Sequence, residues 1–316
     1  MATLLIDAPG RRLQLEERTV RLTEPDGSWR RVPIALLDRV VIEAPAMVSS
    51  ALLAALARES VPVLIVDSRA GEVTVASVGG RWGNAARRLA QYRLAQDEEW
   101  RRRWSARLLA AKIHSQARVL ARAVLRRPTL AARLEPVRAE LERTRADLLG
   151  SRHDAAVLLG KEGAAARTYF QALARLLPDS LGFSGRNRRP PRDPVNACLS
   201  LGYTLVHYQI AALVGEAGLD PYIGFYHAPA PGRESLAADL TELERARVDE
   251  FVLSLFHART LRAEHFTRRK NGACLLGKAG RRKFYEAYET LAGRLVRRQR
   301  RLCRTVVRLI EEAASA

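Results

Sequence analysis

Cysteine and long apolar runs are scarce in this chain of 316 residues. The three cysteines, Cys198, Cys274 and Cys303, lie far apart and show no CxxC spacing. The sequence therefore favours reduced thiols over a disulfide framework or a cysteine zinc site. The first residues lack a basic segment followed by an apolar one, and we find no run of about 18 uncharged apolar residues. We expect a soluble, cytoplasmic protein that is not associated with a membrane.

Lysine is also scarce, with only five residues, whereas lysine and arginine together number 53 against 34 Asp and Glu. The formal net charge of +19 makes a polyanion the first class of partner to consider. Arginine suits this role because its guanidinium binds phosphate oxygens bidentately. A codon bias explains the choice of arginine over lysine equally well, but it does not explain the net charge.

Short β-branched or alternating runs with Pro-Gly and Asp-Gly turn signals lie within residues 1 to about 80. The predicted strands are in "TLLID", "RTVRLTEPDGSWRRVPI", "DRVVIEA", "VPVLIVDS" and "GEVTVASV". One predicted helix, "AMVSSALLAALARES", interrupts them. At "VGGRWGN" the apolar period changes from 2 to 3.6, and long helical segments follow. The sequence predicts an α+β protein with two domains, a β-rich domain over residues 1–80 and a larger all-α domain over residues 81–316.

Arginine clusters are candidate sites for phosphate contact. One cluster interleaves Arg101, Arg102 and Arg103 with two tryptophans, and a loop rich in arginine and proline precedes a helix near residue 194. The last helix carries the longest run, which comprises Arg294, Arg297, Arg298, Arg300, Arg301, Arg304 and Arg308. Because most charge runs are solvated faces, these clusters alone name no partner.

Histidine numbers six, and no HExxH or HxxxH pair occurs, which leaves a zinc-protease helix unsupported. His227 stands between "YIGFY" and the non-helical "APAPGR", a position that suits a cleft or an ordinary loop. Asp239 and Glu242 follow at i and i+3 of a predicted helix, either as ligands or as acids that favour a helix start. Glu162, which we place at the start of an alanine-rich helix, is a third candidate. Two carboxylates and one imidazole are typical ligands of Mg²⁺ or Mn²⁺ at a phosphoryl-transfer centre.

Four motifs in order resemble one family. They are "LLGKEGAAARTYFQAL", "RDPVNACLSLGYTL", "GLDPYIGFYHAPAPGRESLAADLTE" and "GRRKFYEAYE", and the weaker "RRLAQY" and "KIHSQ" precede them. Together they resemble the CRISPR-associated adaptation endonucleases, the integrases of spacer acquisition, over nearly the whole chain. The resemblance implies a β-rich domain that forms homodimers and a helical domain that carries the metal site.

The resemblance also implies a set of site residues. One divalent cation, Mg²⁺ or Mn²⁺, is expected on Glu162, His227 and Glu242, and Asp239 is a nearby acid that competes with Glu242 for the third ligand position. Residues expected near the site, for DNA contact or support, are Tyr169, Asn196, Tyr203, Arg233 and Lys283.

The implied activity is metal-dependent cleavage of DNA and joining of spacer 3′-hydroxyl ends to a CRISPR repeat by transesterification. The implied partners are double-stranded DNA, as spacer precursor and repeat, and a small second adaptation subunit that completes a heterohexamer. Two other interpretations of the residues stay open, a basic non-catalytic DNA-binding scaffold and a zinc protein. The cysteines are poorly placed for the second.

Overall fold

The structure is a computed structural model, and it describes residues 2–59, 61–67, 74–78, 84–187 and 190–315. Among the described residues, eight strands and one α-helix occupy the first part of the chain. They are β1 (Ala2–Ile6), β2 (Arg11–Glu16), β3 (Thr19–Thr23), β4 (Trp29–Pro33), β5 (Leu37–Ile42), β6 (Ala46–Val48), α1 (Ser50–Arg58), β7 (Val63–Asp67) and β8 (Thr74–Val78).

These strands form two four-stranded sheets. One has the order β1-β5-β7-β8, in which the first three strands run parallel and β8 pairs antiparallel with β7. The other has the order β4-β3-β2-β6. Its β3–β4 hairpin turns at the predicted Asp-Gly step, where Gly27 has a φ of +88° that suits glycine.

Two details of the strand prediction were wrong. The strand β2 was not predicted, and the predicted helix "AMVSSALLAALARES" starts too early, because Ala46–Val48 pairs in parallel with β2. The helix α1 begins after Ser49, whose side chain accepts a hydrogen bond from the backbone N–H of Leu52. This cap supplies an acceptor that a helix start at Ala46 would have lacked.

Buried apolar side chains form two clusters. One lies among the N-terminal strands and α1 and includes Ile6, Leu13 and Leu52. The other lies among the later helices and reaches Val41 and Leu64 of the first sheet. The predicted boundary at residue 80 falls on "VGGRWGN", of which residues 79–83 lie outside the described residues, and it stays a prediction.

Helices dominate the rest of the chain, as predicted. They are α2 (Ala85–Gln96), α3 (Glu98–Arg126), α4 (Ala131–Gly150), α5 (Ala155–Ala174), α6 (Pro194–Glu216), α7 (Ser235–Glu242), α8 (Arg245–His257) and α9 (Lys278–Ser315). The segment predicted as one helix over 84–125 is two helices. They separate at Asp97, whose side chain accepts a hydrogen bond from the N–H of Trp100 and caps α3.

The second part of the chain is mostly but not wholly helical. A two-stranded antiparallel hairpin, β9 (Phe266–Arg268) and β10 (Cys274–Leu276), precedes α9 and corrects the all-α expectation. The helix α5 begins at Ala155 after the capping residue Asp154, so Glu162 lies in its interior and not at its start as predicted.

The central helix of this part is α6. By length and composition it is long and apolar enough to cross a membrane, although polar residues interrupt its apolar run. Of its most apolar window, 67% is buried inside the protein, and buried residues occur all round the helix. A helix that is apolar on every side suits the core of a large domain, and α6 is packed against α7, α8 and α9.

Candidate metal centre

A cavity of about 780 Å³ opens between the N-terminal half of α3, the first half of α5, the loop that follows α6, and the junction of α7 and α8. Glu162, His227 and Glu242 all line it, together with Arg101 and Tyr226. The chain thus brings side chains about 80 residues apart in sequence onto one concave surface. Cavities with a few convergent polar groups are the usual setting of binding sites.

The first part of the loop that carries His227 is held by hydrogen bonds to Gln91 and by close packing against α7. Fully buried Gln91 of α2 donates to the carbonyls of Asp220 and Ile223 at 2.9 and 2.6 Å and accepts from the N–H of Asp220 at 2.8 Å. Gly224 passes so close to α7 that an added Cβ would lie 2.6 Å from the carbonyl carbon of Ser235. The "IGFYH" segment therefore needs glycine at this position.

Asp239 organises the loop from the inside. Its Oδ2 accepts the backbone N–H groups of Phe225 and Tyr226 at 2.8 and 3.0 Å, and its Oδ1 accepts the backbone N–H and Nδ1 of His227, both at 2.8 Å. The side chain is fully buried. With Nδ1–H directed at a carboxylate, Nε2 is the ring nitrogen that can bind a ligand.

The two acids of α7 thus have different surroundings. Asp239 has both oxygens occupied by the loop, whereas Glu242 lines the cavity and pairs with Lys112 and Arg245. The sequence left the choice of the third ligand between these two acids open. The geometry favours Glu242, with Asp239 orienting His227.

Two cations hold Glu242. Nε of Arg245 lies 2.8 Å from Oε1, and Nζ of Lys112 lies 2.7 Å from Oε2 in an ion pair that lacks the angles of a hydrogen bond. Burial alone would raise the pKa of Glu242, but Arg245 and Lys112 outweigh it and lower the pKa to about 2. The carboxylate is therefore ionised at neutral pH.

Behind the cavity wall, three helices meet at Asp249 of α8. Its Oδ2 accepts the hydroxyl of Tyr169 from α5 at 2.9 Å, and its Oδ1 accepts the hydroxyl of Tyr203 from α6. Complete burial raises the pKa of Asp249 to about 6, although both tyrosines and Arg245 lower it. The guanidinium of Arg245 lies 4.5 Å from the centre of the Tyr203 ring, which connects this network to Glu242.

The other residues predicted near the site differ in their placement. Tyr169 and Tyr203 lie behind the cavity wall, and the side chain of Arg233 lines the cavity. Asn196 is fully buried at the start of α6, where it accepts from Arg186 at 2.7 Å and donates to Asp193 at 2.6 Å. Lys283 lies on the exposed side of α9 and does not line the cavity.

Sequence reasoning did not assign a site role to Lys112, Tyr226, Arg245 or Asp249. The spacing of Arg245 three residues after Glu242 was a signal, because side chains three residues apart are neighbours where the chain makes a helical turn, and in the structure they pair across the junction of α7 and α8. Lys112 was part of the weaker motif "KIHSQ", and no role in the site was assigned to it from the sequence.

Burial and the carboxylates of Glu162, Glu242 and Asp239 raise the pKa of Tyr226. Its hydroxyl therefore stays protonated at neutral pH and can donate a hydrogen bond.

The donor chemistry of the cavity fits a hard or borderline divalent cation. Two carboxylates and an imidazole with a fixed Nδ1 proton make a set that Mg²⁺ and Mn²⁺ accept. Among the described residues, no three His, Cys, Asp or Glu side chains are grouped closely enough to form a ready-made site. The ammonium of Lys112 contacts both carboxylates.

A family model and a curated relative identify the same family. The family model described as CRISPR associated protein Cas1 matches residues 4–290. A protein named CRISPR-associated endonuclease Cas1 1, from Thermodesulfovibrio yellowstonii, is 34% identical over 290 residues, which cover 92% of this chain and 91% of that protein.

Solved structures share the whole fold. A Cas1 protein from Thermotoga maritima aligns with a TM-score of 0.83 at 20% identity and covers 100% of this chain and 97% of its own. A casposase bound to integration product aligns with a TM-score of 0.79 at 24% identity. The alignment covers 92% of this chain and 82% of the casposase chain. A chain of a Cas6-RT-Cas1–Cas2 complex aligns with a TM-score of 0.80 at 21% identity. The alignment covers 99% of this chain and 35% of that chain. The predicted α+β fold, with N-terminal strands before a mostly helical part, is confirmed.

Proposed function

The chain belongs to the CRISPR-associated Cas1 family, and we propose from this membership that it is a DNA endonuclease and integrase of CRISPR adaptation that depends on a divalent cation. The observation that carries the proposal is the shared cavity of Glu162, His227 and Glu242, in which Asp239 fixes the tautomer of His227. We assign Glu162, His227 and Glu242 as the residues that hold Mg²⁺ or Mn²⁺. Asp239 acts through His227 and not on the ion.

A bound divalent cation would polarise the scissile phosphate and activate the attacking oxygen. The chain's own residues position the DNA. Arg101 and Arg233 line the cavity and can bind phosphates next to the scissile bond. The protonated hydroxyl of Tyr226 can donate to a phosphate oxygen, and Asp239 holds the proton of His227 at Nδ1.

The proposed reaction is a displacement at phosphorus. In joining, a DNA 3′-hydroxyl oxygen loses its proton and forms a bond to phosphorus while the bond to the leaving 3′-oxygen breaks, and that oxygen takes up a proton. Nicking differs in that water supplies the attacking oxygen. One site therefore serves both reactions, because the charge that develops on the phosphate is the same.

We propose that the protein acts with partners. Double-stranded DNA is the substrate, as spacer precursor and as repeat, and a Cas2-type subunit is the protein partner. A homodimer formed through the β-rich residues 1–80 and a heterohexamer with that subunit are further parts of this proposal, as is a cytoplasmic location. The support is the family and the name of the Cas6-RT-Cas1–Cas2 complex.

The test is incubation of the purified protein with branched DNA and Mn²⁺ or Mg²⁺. We expect nicked or joined products, and we expect EDTA to abolish them and added Mn²⁺ to restore them. The competing interpretation, a basic scaffold without catalysis, predicts that the DNA binds and stays intact under every condition. If no product forms, the assay is repeated with a Cas2-type partner, and intact DNA in that case contradicts the proposed function.

Five arginines of α9 support the choice of DNA as the substrate. Arg294, Arg297, Arg301, Arg304 and Arg308 recur at alternating spacings of three and four and are all exposed. Such spacing places the five guanidiniums on one face of the helix, along about 21 Å. Among the described residues, only Arg308 of this set has an ion pair, with Glu312 at 3.6 Å. The neighbouring Arg298, which lies outside the set, pairs with Glu244 at 2.7 Å.

We expect this arginine stripe to contribute to DNA affinity through phosphate contacts. Replacing Arg297, Arg301 and Arg304 together with glutamine is expected to weaken duplex binding and to reduce the slope of log K against log salt by about 2 to 3, since each lost contact removes about 0.9. The measurement is fluorescence anisotropy at several salt concentrations. The matched control is Arg282→Gln on the same helix, because Arg282 already pairs with Glu286 at 3.0 Å. Equal slopes for all three proteins would show that the stripe is a solvated face.

A further inference from the structure

Lys112 occupies an unusual position for a lysine. It lies in the middle of α3, and its side chain is 7% exposed. Its Nζ contacts Oε1 of Glu162 on α5 and lies 2.7 Å from Oε2 of Glu242 on α7. Lysine is almost never this buried unless it is paired, and here one ammonium pairs with carboxylates from two different helices.

The contacts of Lys112 involve two of the carboxylates that are assigned to the proposed cation site. Glu162 and Glu242 are two of the three assigned ligands, and Arg245 already holds the second oxygen of Glu242. A divalent cation that binds Oε1 of Glu162 and Oε2 of Glu242 would compete with the ammonium for these two oxygens. An ammonium and a divalent cation held on the same two carboxylates repel each other, so each weakens the binding of the other.

We propose that Lys112 is a tethered competitor of the divalent cation, so that its ion pairs with Glu162 and Glu242 set the affinity of the site. This inference rests on the proposed function, because it presumes that Glu162 and Glu242 hold the ion. Without the ammonium of Lys112, the two carboxylates would lose a compensating positive charge. The stability of the fold would then depend more strongly on the bound cation.

The competition predicts a direction that a supporting role does not. If Lys112 competes, Lys112→Met binds Mn²⁺ more tightly than the wild type, by about tenfold, because the ion no longer competes with the two ion pairs of the ammonium. If Lys112 only holds the two glutamates in the correct geometry, the same substitution loosens the site and weakens Mn²⁺ binding. The sign of the change therefore separates the two roles.

The experiment is titration of the full-length protein with Mn²⁺, followed by electron paramagnetic resonance of the free ion and by isothermal calorimetry. Lys112→Arg keeps a positive charge and is expected to bind Mn²⁺ no more tightly than the wild type. Lys161→Met is the matched control, because Lys161 neighbours Glu162 in sequence but pairs with Asp147 at 2.7 Å and does not line the cavity. It is expected to leave the Mn²⁺ affinity unchanged.

Thermal unfolding supplies a second measurement if Lys112→Met folds poorly. Without added cation the variant is expected to melt at a lower temperature than the wild type, and saturating Mn²⁺ is expected to raise its Tm by more. Equal or weaker Mn²⁺ binding by Lys112→Met, with a normal wild-type affinity, would overturn this inference alone. Absence of Mn²⁺ binding by both proteins would contradict the cation site of the proposed function.

Discussion

His227→Ala is expected to lower the rate of Mn²⁺-dependent DNA cleavage by about a thousandfold or more and to leave duplex affinity within about twofold of the wild type. The reason for the first effect is that the imidazole is one of three residues assigned to hold the cation. The reason for the second is that DNA affinity of a protein with a net charge of +19 comes mainly from phosphate contacts spread over the surface. Single-turnover cleavage and anisotropy measure the two quantities separately.

The comparison with Asp239→Asn makes this prediction sharper. Asp239 touches His227 and the backbone of its loop, so its replacement is expected to reduce the rate by about 10- to 100-fold, as loss of a group that orients a metal-ligating histidine does. It is also expected to reduce stability, whereas His227→Ala is expected to leave stability nearly unchanged. Wild-type cleavage by His227→Ala would remove the histidine from the site.

Asp249→Ala is expected to reduce the free energy of unfolding by about 3 kcal/mol, because it leaves two buried tyrosine hydroxyls without an acceptor. Tyr169 and Tyr203 both donate to this carboxylate from different helices. Urea denaturation monitored by circular dichroism measures the loss. Since the ring of Tyr203 lies against Arg245, which pairs with Glu242, we also expect slower cleavage.

Two controls test this explanation. In the Asp249→Ala background, Tyr169→Phe is expected to cost much less stability than it does in the wild type, since its hydroxyl no longer has a partner to lose. The pH dependence gives a second check. The pKa of Asp249 is about 6 in the fold against an ordinary value of 3.8. The folded state therefore binds the proton more tightly, and Asp249 makes wild-type stability fall as pH rises between about 4 and 6.

The pH profile of Asp249→Ala should lack that component. If the two profiles are parallel, and if Tyr169→Phe costs the same in both backgrounds, Asp249 does not organise the tyrosines. The buried network would then have no part in positioning Arg245.

The spacing of apolar residues predicted most of the secondary structure. The change from alternating to helical spacing predicted the N-terminal strands and the later helices, because burial of one face dictates both patterns. The wrong details arose where long-range pairing decided the structure. Ala46–Val48 is a strand because it pairs with Arg11–Glu16, and no local propensity in "AMV" indicates that partner.

The sequence indicated some of the residues that line the cavity but none of the ion pairs and hydrogen bonds between them. The motifs named Glu162, His227, Asp239 and Glu242, but the sequence could not distinguish the two acids of α7. That distinction depends on which carboxylate accepts the backbone N–H groups of "GFYH". In the structure, Asp239 accepts them. The ion pairs of Lys112 could not be predicted either, because its partners lie 50 and 130 residues away in sequence and only the fold brings them together.

The most direct test of the cation site is a crystal of the protein soaked in Mn²⁺, with an anomalous difference map collected at the manganese absorption edge. The assignment predicts one strong peak in the cavity, about 2.0 to 2.3 Å from a carboxylate oxygen of Glu162, Nε2 of His227 and a carboxylate oxygen of Glu242. Asp239 should keep its contacts to the loop and lie outside that distance. A peak coordinated by Asp239 in place of Glu242, or no peak in the cavity at saturating Mn²⁺, would contradict the account.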